Sequence, residues 1–132
     1  NSTDDVKECG YIFDGHDFGE QFIKDLSFAT SEIVISAPRV SRIANPKVAM
    51  AIRDRLAIGI DVRIITSEET FDRGLFDLNI EVVHTESCST HFAVIDKSIC
   101  WYGDINLLGY NTSERTALRL WDRAIAEELI KR

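Results

Sequence analysis

Between residues 89 and 106 the chain reads Ser89-Thr-His-Phe-Ala-Val-Ile-Asp96, and then Gly103-Asp-Ile-Asn106. A hydroxyl, an imidazole, two carboxylates and a carboxamide fall within one short stretch. Such groups can do acid–base and nucleophilic work: an imidazole attacks or moves protons, and a carboxamide steadies an oxygen on which charge develops. In an extended strand, residues two apart share a face, so Ser89 and His91 point the same way. Asp96 has the opposite parity to His91, which suits a structural place at a turn better than catalysis. Serine is a poor nucleophile without a base beside it. His91 is open to three roles: a simple hydrogen-bonding residue, a phosphate contact, or a nucleophile. Asn106 is either a phosphate ligand or a turn residue. Asp104 adds a negative charge that would repel an anionic ligand.

The surrounding sequence must supply elements that bring these groups together. Asp17 is placed to cap a helix whose apolar residues, Phe18, Phe22, Leu26 and Ala29, recur at helical period, with Glu20 completing a box-like start. Glu32 to Ser36 reads as a buried strand. Asn45-Pro46 starts a second helix with Val48, Ile52 and Leu56 as its stripe and Gly59 as its stop. Asp61 to Thr66 is the next strand, followed by a short helix around Thr70 to Leu78 and a strand at Ile80 to Val83. That alternation predicts parallel pairing through crossover connections. Thr90 to Ile95 and Ile99 to Tyr102 read as a hairpin joined at Asp96-Lys97-Ser98. A loop from Gly103 to Thr112 leads to a last strand at Thr116 to Trp121, and Asp122 caps a helix carrying Ala124, Ile125, Leu129 and Ile130. The expected fold is α/β: one mixed sheet, with Thr90 to Ile95 as an inner strand, flanked by helices on both faces.

A chain of 132 residues, 45% hydrophobic and 28% charged, has the makings of one globular domain with its own core. The polar, acidic start and the Lys131-Arg132 end point to a domain excised from a longer protein. No apolar run approaches the roughly 20 residues a membrane span needs, and no secretory signal is visible. The net charge of −7 argues against nonspecific nucleic-acid binding over the whole surface. Yet from Arg39 to Arg63 six basic residues stand against two acidic ones. Arg39, Arg42 and Lys47 are therefore the candidate nucleic-acid contacts, with a solvated helix face as the plainer reading. Cys9, Cys88 and Cys100 form an odd set without paired spacing, the pattern of reduced thiols in a cytoplasmic protein. His84, Cys88 and His91 lie close in sequence but do not make a convincing zinc set; neither metal nor cofactor is expected. His16 and His84 read as surface or loop residues. Trp101 and Trp121 read as core or interface, with Trp101 and Tyr102 as an alternative stacking surface for bases.

The stretch from Ser89 to Asn106 resembles the catalytic signature of the phospholipase D-like phosphodiesterase superfamily: His-x-Lys-x-x-x-x-Asp, then Gly-Ser-x-Asn seven residues later. Asp96, Gly103 and Asn106 fall at the matching spacings. Ser89 stands at the position of the nucleophilic His, His91 at that of Lys and Asp104 at that of Ser. The resemblance extends from about Phe18 to Ile130, through Ile33-Val-Ile-Ser-Ala-Pro38 and Gly59-Ile-Asp-Val-Arg-Ile-Ile-Thr66. It looks closest to compact single-motif domains that occur alone or attached to bacterial nucleases, restriction enzymes and helicase-like proteins.

The resemblance implies a phosphodiesterase frame in which one His attacks phosphorus and another protonates the leaving oxygen, without a metal. In single-motif members the site lies on a dimer axis. With its centre altered, the domain is expected to be non-catalytic, serving assembly, regulation or nucleic-acid contact in a larger nucleic-acid-processing protein. The alternative is an active metal-independent nuclease using His91 across a homodimer. In both readings Ser89, His91 and Asn106 are the site candidates, while Asp96 and Gly103 are structural. Partners are then a second copy or another domain of the parent chain, with weak nucleic-acid contact and no membrane. A lipid-modifying enzyme fits less well, for want of a membrane-binding stretch.

Overall fold

The structure is a computed structural model, and it describes residues 10–39, 45–68, 71–77 and 79–131. Seven strands form one mixed sheet: β1 (Gly10–Asp14), β2 (Glu32–Ser36), β3 (Asp61–Thr66), β4 (Glu81–His84), β5 (His91–Ile95), β6 (Ile99–Gly103) and β7 (Thr116–Trp121). Their order is β1-β7-β6-β5-β2-β3-β4, which makes β5 the central strand. β2, β3 and β4 run parallel, as the alternating first half predicts, and the other neighbours pair antiparallel.

Helices α1 (Phe18–Ser27) and α2 (Pro46–Ala57) cover one face, and α3 (Arg123–Lys131) covers part of the other. The periodic residues of α1 and α2 are where the burial is: Phe22, Leu26, Val48 and Ile52 are wholly inaccessible and meet Ile33, Ile35 and Ile64 of the sheet. Each such side chain contributes about 1.5–3 kcal/mol on leaving water. The opposite face buries Val34, Phe92 and Val94 under Ala126 and Leu129. Asn45 caps α2 as its sequence position predicts, its side chain accepting from Lys47 N at 3.0 Å. Asp122 caps α3 through Ile125 N at 3.0 Å.

Several local expectations need correction. Asp17 occupies the cap position of α1 but makes no cap bond. Its Oδ1 instead accepts from Asp14 N at 2.7 Å, while Asp14 accepts from the amides of His16 and Asp17, so the two carboxylates close the β1–α1 turn between them. The expected helix at Thr70 to Leu78 is, among the described residues, a single 3-10 turn over Arg73–Leu75. Gly74 weakens helix there, and Asp72 draws Gly74 N into a tight turn at 2.9 Å. β1 has no counterpart in the sequence reading. Trp101 is fully buried, whereas Trp121 is 62% exposed.

A buried polar network ties α1 to the sheet. Asp25, only 5% exposed, accepts from Arg119 Nε at 2.7 Å and Nη2 at 2.9 Å, and from Trp101 Nε1 at 2.8 Å. The two-pronged guanidinium contact satisfies both charges inside the core. Around it Phe13, Phe18 and Phe22 pack on Trp101 with ring centroids 5.1–6.4 Å away.

Candidate functional site

A surface cleft of about 720 Å³ opens beyond the carboxyl ends of β2 and β3, where open α/β sheets commonly bind ligands. Arg39 and Ser67 come from the segments just after those strands. Cys88, Ser89 and His91 come from the approach to and start of β5, and Asp104, Asn106, Tyr110 and Arg115 from the β6–β7 loop. Ser89, His91 and Asn106, far apart in type but close in spacing, therefore line one cleft. The floor is fixed by Ser36, whose Oγ donates to Thr90 O at 2.7 Å and lies 3.3 Å from Cys88 Sγ.

His91 begins the central strand, in register with Gly103 of β6. Its Nδ1 is buried and has no hydrogen-bond partner. Burial lowers its pKa below the ordinary histidine value; the nearby Asp104 carboxylate opposes that shift and Arg115 adds to it. The ring is thus neutral near pH 7, and no carboxylate fixes its tautomer through Nδ1. Asp104 is held in turn by Thr116 N at 2.7 Å and faces Arg115 at 3.6 Å on the exposed rim. Asn106 uses its Oδ1 to accept from Leu108 N at 3.2 Å, which leaves the amide nitrogen and one carbonyl lone pair to offer a ligand.

Neither Asp96 nor Gly103 lines the cleft. Asp96 sits at the β5–β6 turn with φ +55°, followed by Lys97 at +57°. Asp tolerates this left-handed geometry better than most residues. Its carboxylate accepts from the amides of Thr30, Ser31 and Glu32 at 2.8–3.1 Å and from the hydroxyls of Thr30 and Ser31. Partial burial pushes this carboxyl up, but the amide donors outweigh it and the net pKa is lowered. The turn is thereby pinned to the start of β2. Gly103 is required by close approach: a Cβ there would collide with the Thr116 carbonyl and lie 2.7 Å from Ala117 Cα.

Among its described residues, the basic segment does not present one surface. Arg39 lines the cleft. Lys47 instead borders a separate, mostly apolar groove between α1 and α2, and Arg42 lies outside the described residues. Arg55 donates to Ala29 O at 3.3 Å, and Arg63 pairs with Glu81 at 3.6 Å. Cys9 is also outside the described residues. Among those described, no three metal-ligating side chains form a cluster. His84 is exposed, with Nε2 3.1 Å from Ser67 O. Tyr102 pairs with Phe92, whose parity puts it on the face opposite His91, so with Trp101 buried the Trp101–Tyr102 stacking surface does not exist. Sequence reasoning missed Tyr110, Arg115 and Cys88 as cleft residues. An aromatic in a Gly- and Asn-rich loop was the one signal that pointed to Tyr110.

No protein-family model matches the chain, and no curated protein matches its sequence. Solved structures do match. NucT from Helicobacter pylori superposes with a TM-score of 0.74 at 18% identity, covering 92% of this chain and 91% of that one. Nuc from Salmonella typhimurium, a phospholipase D family member, gives 0.70 at 16% identity, covering 92% and 90%. TrmBL2, an archaeal chromatin protein with a novel mode of DNA binding, gives 0.61 at 11% identity, covering 94% of this chain and 50% of that one. At these identities the likeness establishes the fold. The chain has the mixed α/β fold of the phospholipase D superfamily, as the resemblance implies.

Proposed function

We propose that this domain binds a phosphodiester of nucleic acid in its cleft without cleaving it, as one part of a larger nucleic-acid-processing protein. One observation carries the reading: the cleft's imidazole has a buried Nδ1 with no carboxylate or other hydrogen-bond partner. A general base or nucleophile of this kind depends on a third group that sets its tautomer and stabilises its charge. Ser89, at the place of the family's nucleophile, has no stronger base to call on than this ring. Asp104 adds a carboxylate where an incoming phosphate would develop charge. What remains suits binding: Arg39 and Arg115 as cations, His91 as a neutral donor or acceptor, and the Asn106 amide as a donor. A similar fold forming about half of a DNA-binding chromatin protein supports a place in a longer chain.

Two measurements test this. With EDTA present, the domain should leave single- and double-stranded DNA and a bis-aryl phosphate diester intact. Loss of acid–base function alone lowers rates about 100- to 10,000-fold, and here the nucleophile is altered as well. Cleavage that disappears in His91→Ala would establish the dimeric nuclease instead. Binding should be weak and salt-dependent, with a slope of log affinity against log salt no steeper than about −4 on duplex DNA. Arg39→Ala should flatten that slope by about 0.9, and salt-insensitive binding would refute the phosphate contact.

A further inference from the structure

Tyr110 is 61% exposed on the wall of the cleft, yet the backbone beneath it is firmly held. Asn106 N donates to Asn111 Oδ1 at 2.7 Å, and Asn111 Nδ2 donates back to Asn106 O at 2.9 Å. Gly109 N also reaches Asn106 O at 3.2 Å. Leu107 and Leu108 are buried at 1% and 0%, and Leu108 O accepts from Asn45 N at 2.8 Å. On the next stretch, Asn111 and Thr112 press so closely on Gly15 that a Cβ there would collide with the Thr112 carbonyl. The loop is therefore a preorganised pedestal with one aromatic ring at its top, in the same cleft as Arg39 and Arg115.

We infer that Tyr110 is a stacking platform for an unpaired nucleobase, so that the cleft takes single-stranded rather than duplex nucleic acid. The inference rests on the reading of the cleft as a phosphodiester site and adds the selectivity. A tyrosine brings a flat π surface at small conformational cost. An exposed ring on a fixed loop loses little further freedom when a base covers it. The adjacent guanidiniums and the Asn106 amide supply partners for the sugar-phosphate linked to that base. In a duplex each base is already stacked and paired, so the ring finds no free face. Asp104 and Glu86 on the cleft lining offset the arginine charges, which keeps electrostatic attraction alone from deciding affinity.

The test compares a fluorescent oligothymidylate with an abasic oligomer of the same length and a duplex, all at low salt, by anisotropy. Oligothymidylate should bind more tightly than either of the others. Tyr110→Ala should weaken it about 5- to 100-fold, the range of one base–aromatic stack, and bring it level with the abasic oligomer. Tyr110→Phe should keep the preference, and both variants should melt like the parent because the ring is exposed. If oligothymidylate and abasic oligomer bind alike and Tyr110→Ala changes neither, the stacking inference is overturned and the phosphodiester reading stands. A duplex preference also overturns it. If no oligomer binds at all, both fall together.

Discussion

Replacing Asp96 separates structure from chemistry in the motif it belongs to. Its carboxylate gathers three amides and two hydroxyls from Thr30, Ser31 and Glu32. Bonds to a charged group contribute about 1.5–3 kcal/mol each when buried, but most of these are exposed and water replaces them in part. Counting about 0.5–1 kcal/mol for each amide gives about 1.5–3 kcal/mol for Asp96→Ala. Alanine in the left-handed conformation at φ +55° adds about 1 kcal/mol. The expected loss of about 2.5–4 kcal/mol corresponds to a melting temperature lower by about 9–14 °C for a domain of this size. Asp96→Asn keeps one acceptor oxygen and a tolerated backbone, and should lose only about 1–2 kcal/mol. Because the folded-state pKa is lowered, the charge's contribution is complete above the ordinary aspartate value of about 3.9. It disappears as pH falls through the lower folded value. The parent and Asp96→Asn should therefore converge in acid. Urea unfolding, followed through the fluorescence of buried Trp101 across pH 7 to 3, measures all three effects. A loss under about 0.5 kcal/mol for Asp96→Ala, or an Asn variant as unstable as Ala, would refute the clamp.

Asp25→Ala should cost about 3–5 kcal/mol, because it strands the Arg119 guanidinium and the Trp101 N–H inside the core; a urea midpoint within error of the parent would contradict the network. His91 should titrate below the ordinary histidine value of about 6.5 in an NMR series, lower still in Asp104→Asn and higher in Arg115→Ala. Since the unfolded chain takes up this proton first, stability should fall as pH drops from about 6.5 through the folded value, and an imidazole titrating above that value would refute its burial. Gly103→Ala should yield no soluble folded protein, as the Thr116 carbonyl occupies the space a methyl needs; normal expression and melting would show that β6 and β7 separate more easily than the packing implies.

What the sequence made legible was periodic or local. Phe18, Phe22 and Leu26 announced α1, the Asn45-Pro46 pair announced α2, and strand alternation put Ser89 and His91 on one side of the chain. The motif spacing from Asp96 to Asn106 pointed to the fold, and the superposed structures share that fold. What stayed hidden depended on partners distant in sequence. Asp25 resembles a solvated helix residue until Arg119 and Trp101 meet it from two strands. β1 is short, with Tyr11 and Ile12 exposed, and is a strand only because β7 lies beside it. In the Arg39 to Arg63 segment the sign of the charge was readable, but not its direction. Arg55 and Arg63 turn to internal partners, while Arg39 alone of the described members of that run reaches the cleft. Tyr110 carried only the weak signal of an aromatic in a Gly- and Asn-rich loop, because nothing local shows that the loop beneath it is clasped by two asparagines.

The pairing of β1 with β7 sets a timetable for synthesis. The strand Gly10–Asp14 leaves the ribosome early, but the strand it must pair with, Thr116–Trp121, is made near the end of this domain. At about 5–20 residues per second, Tyr11, Ile12 and Phe13 spend on the order of ten seconds without their neighbour. During that interval they are a bare hydrophobic segment able to join another nascent chain. Closing so long a chain segment is also entropically slow. The last strand thus does more than complete the sheet: its arrival ends the period in which the newborn domain is most open to aggregation, and a stall in translation before Thr116 would prolong it.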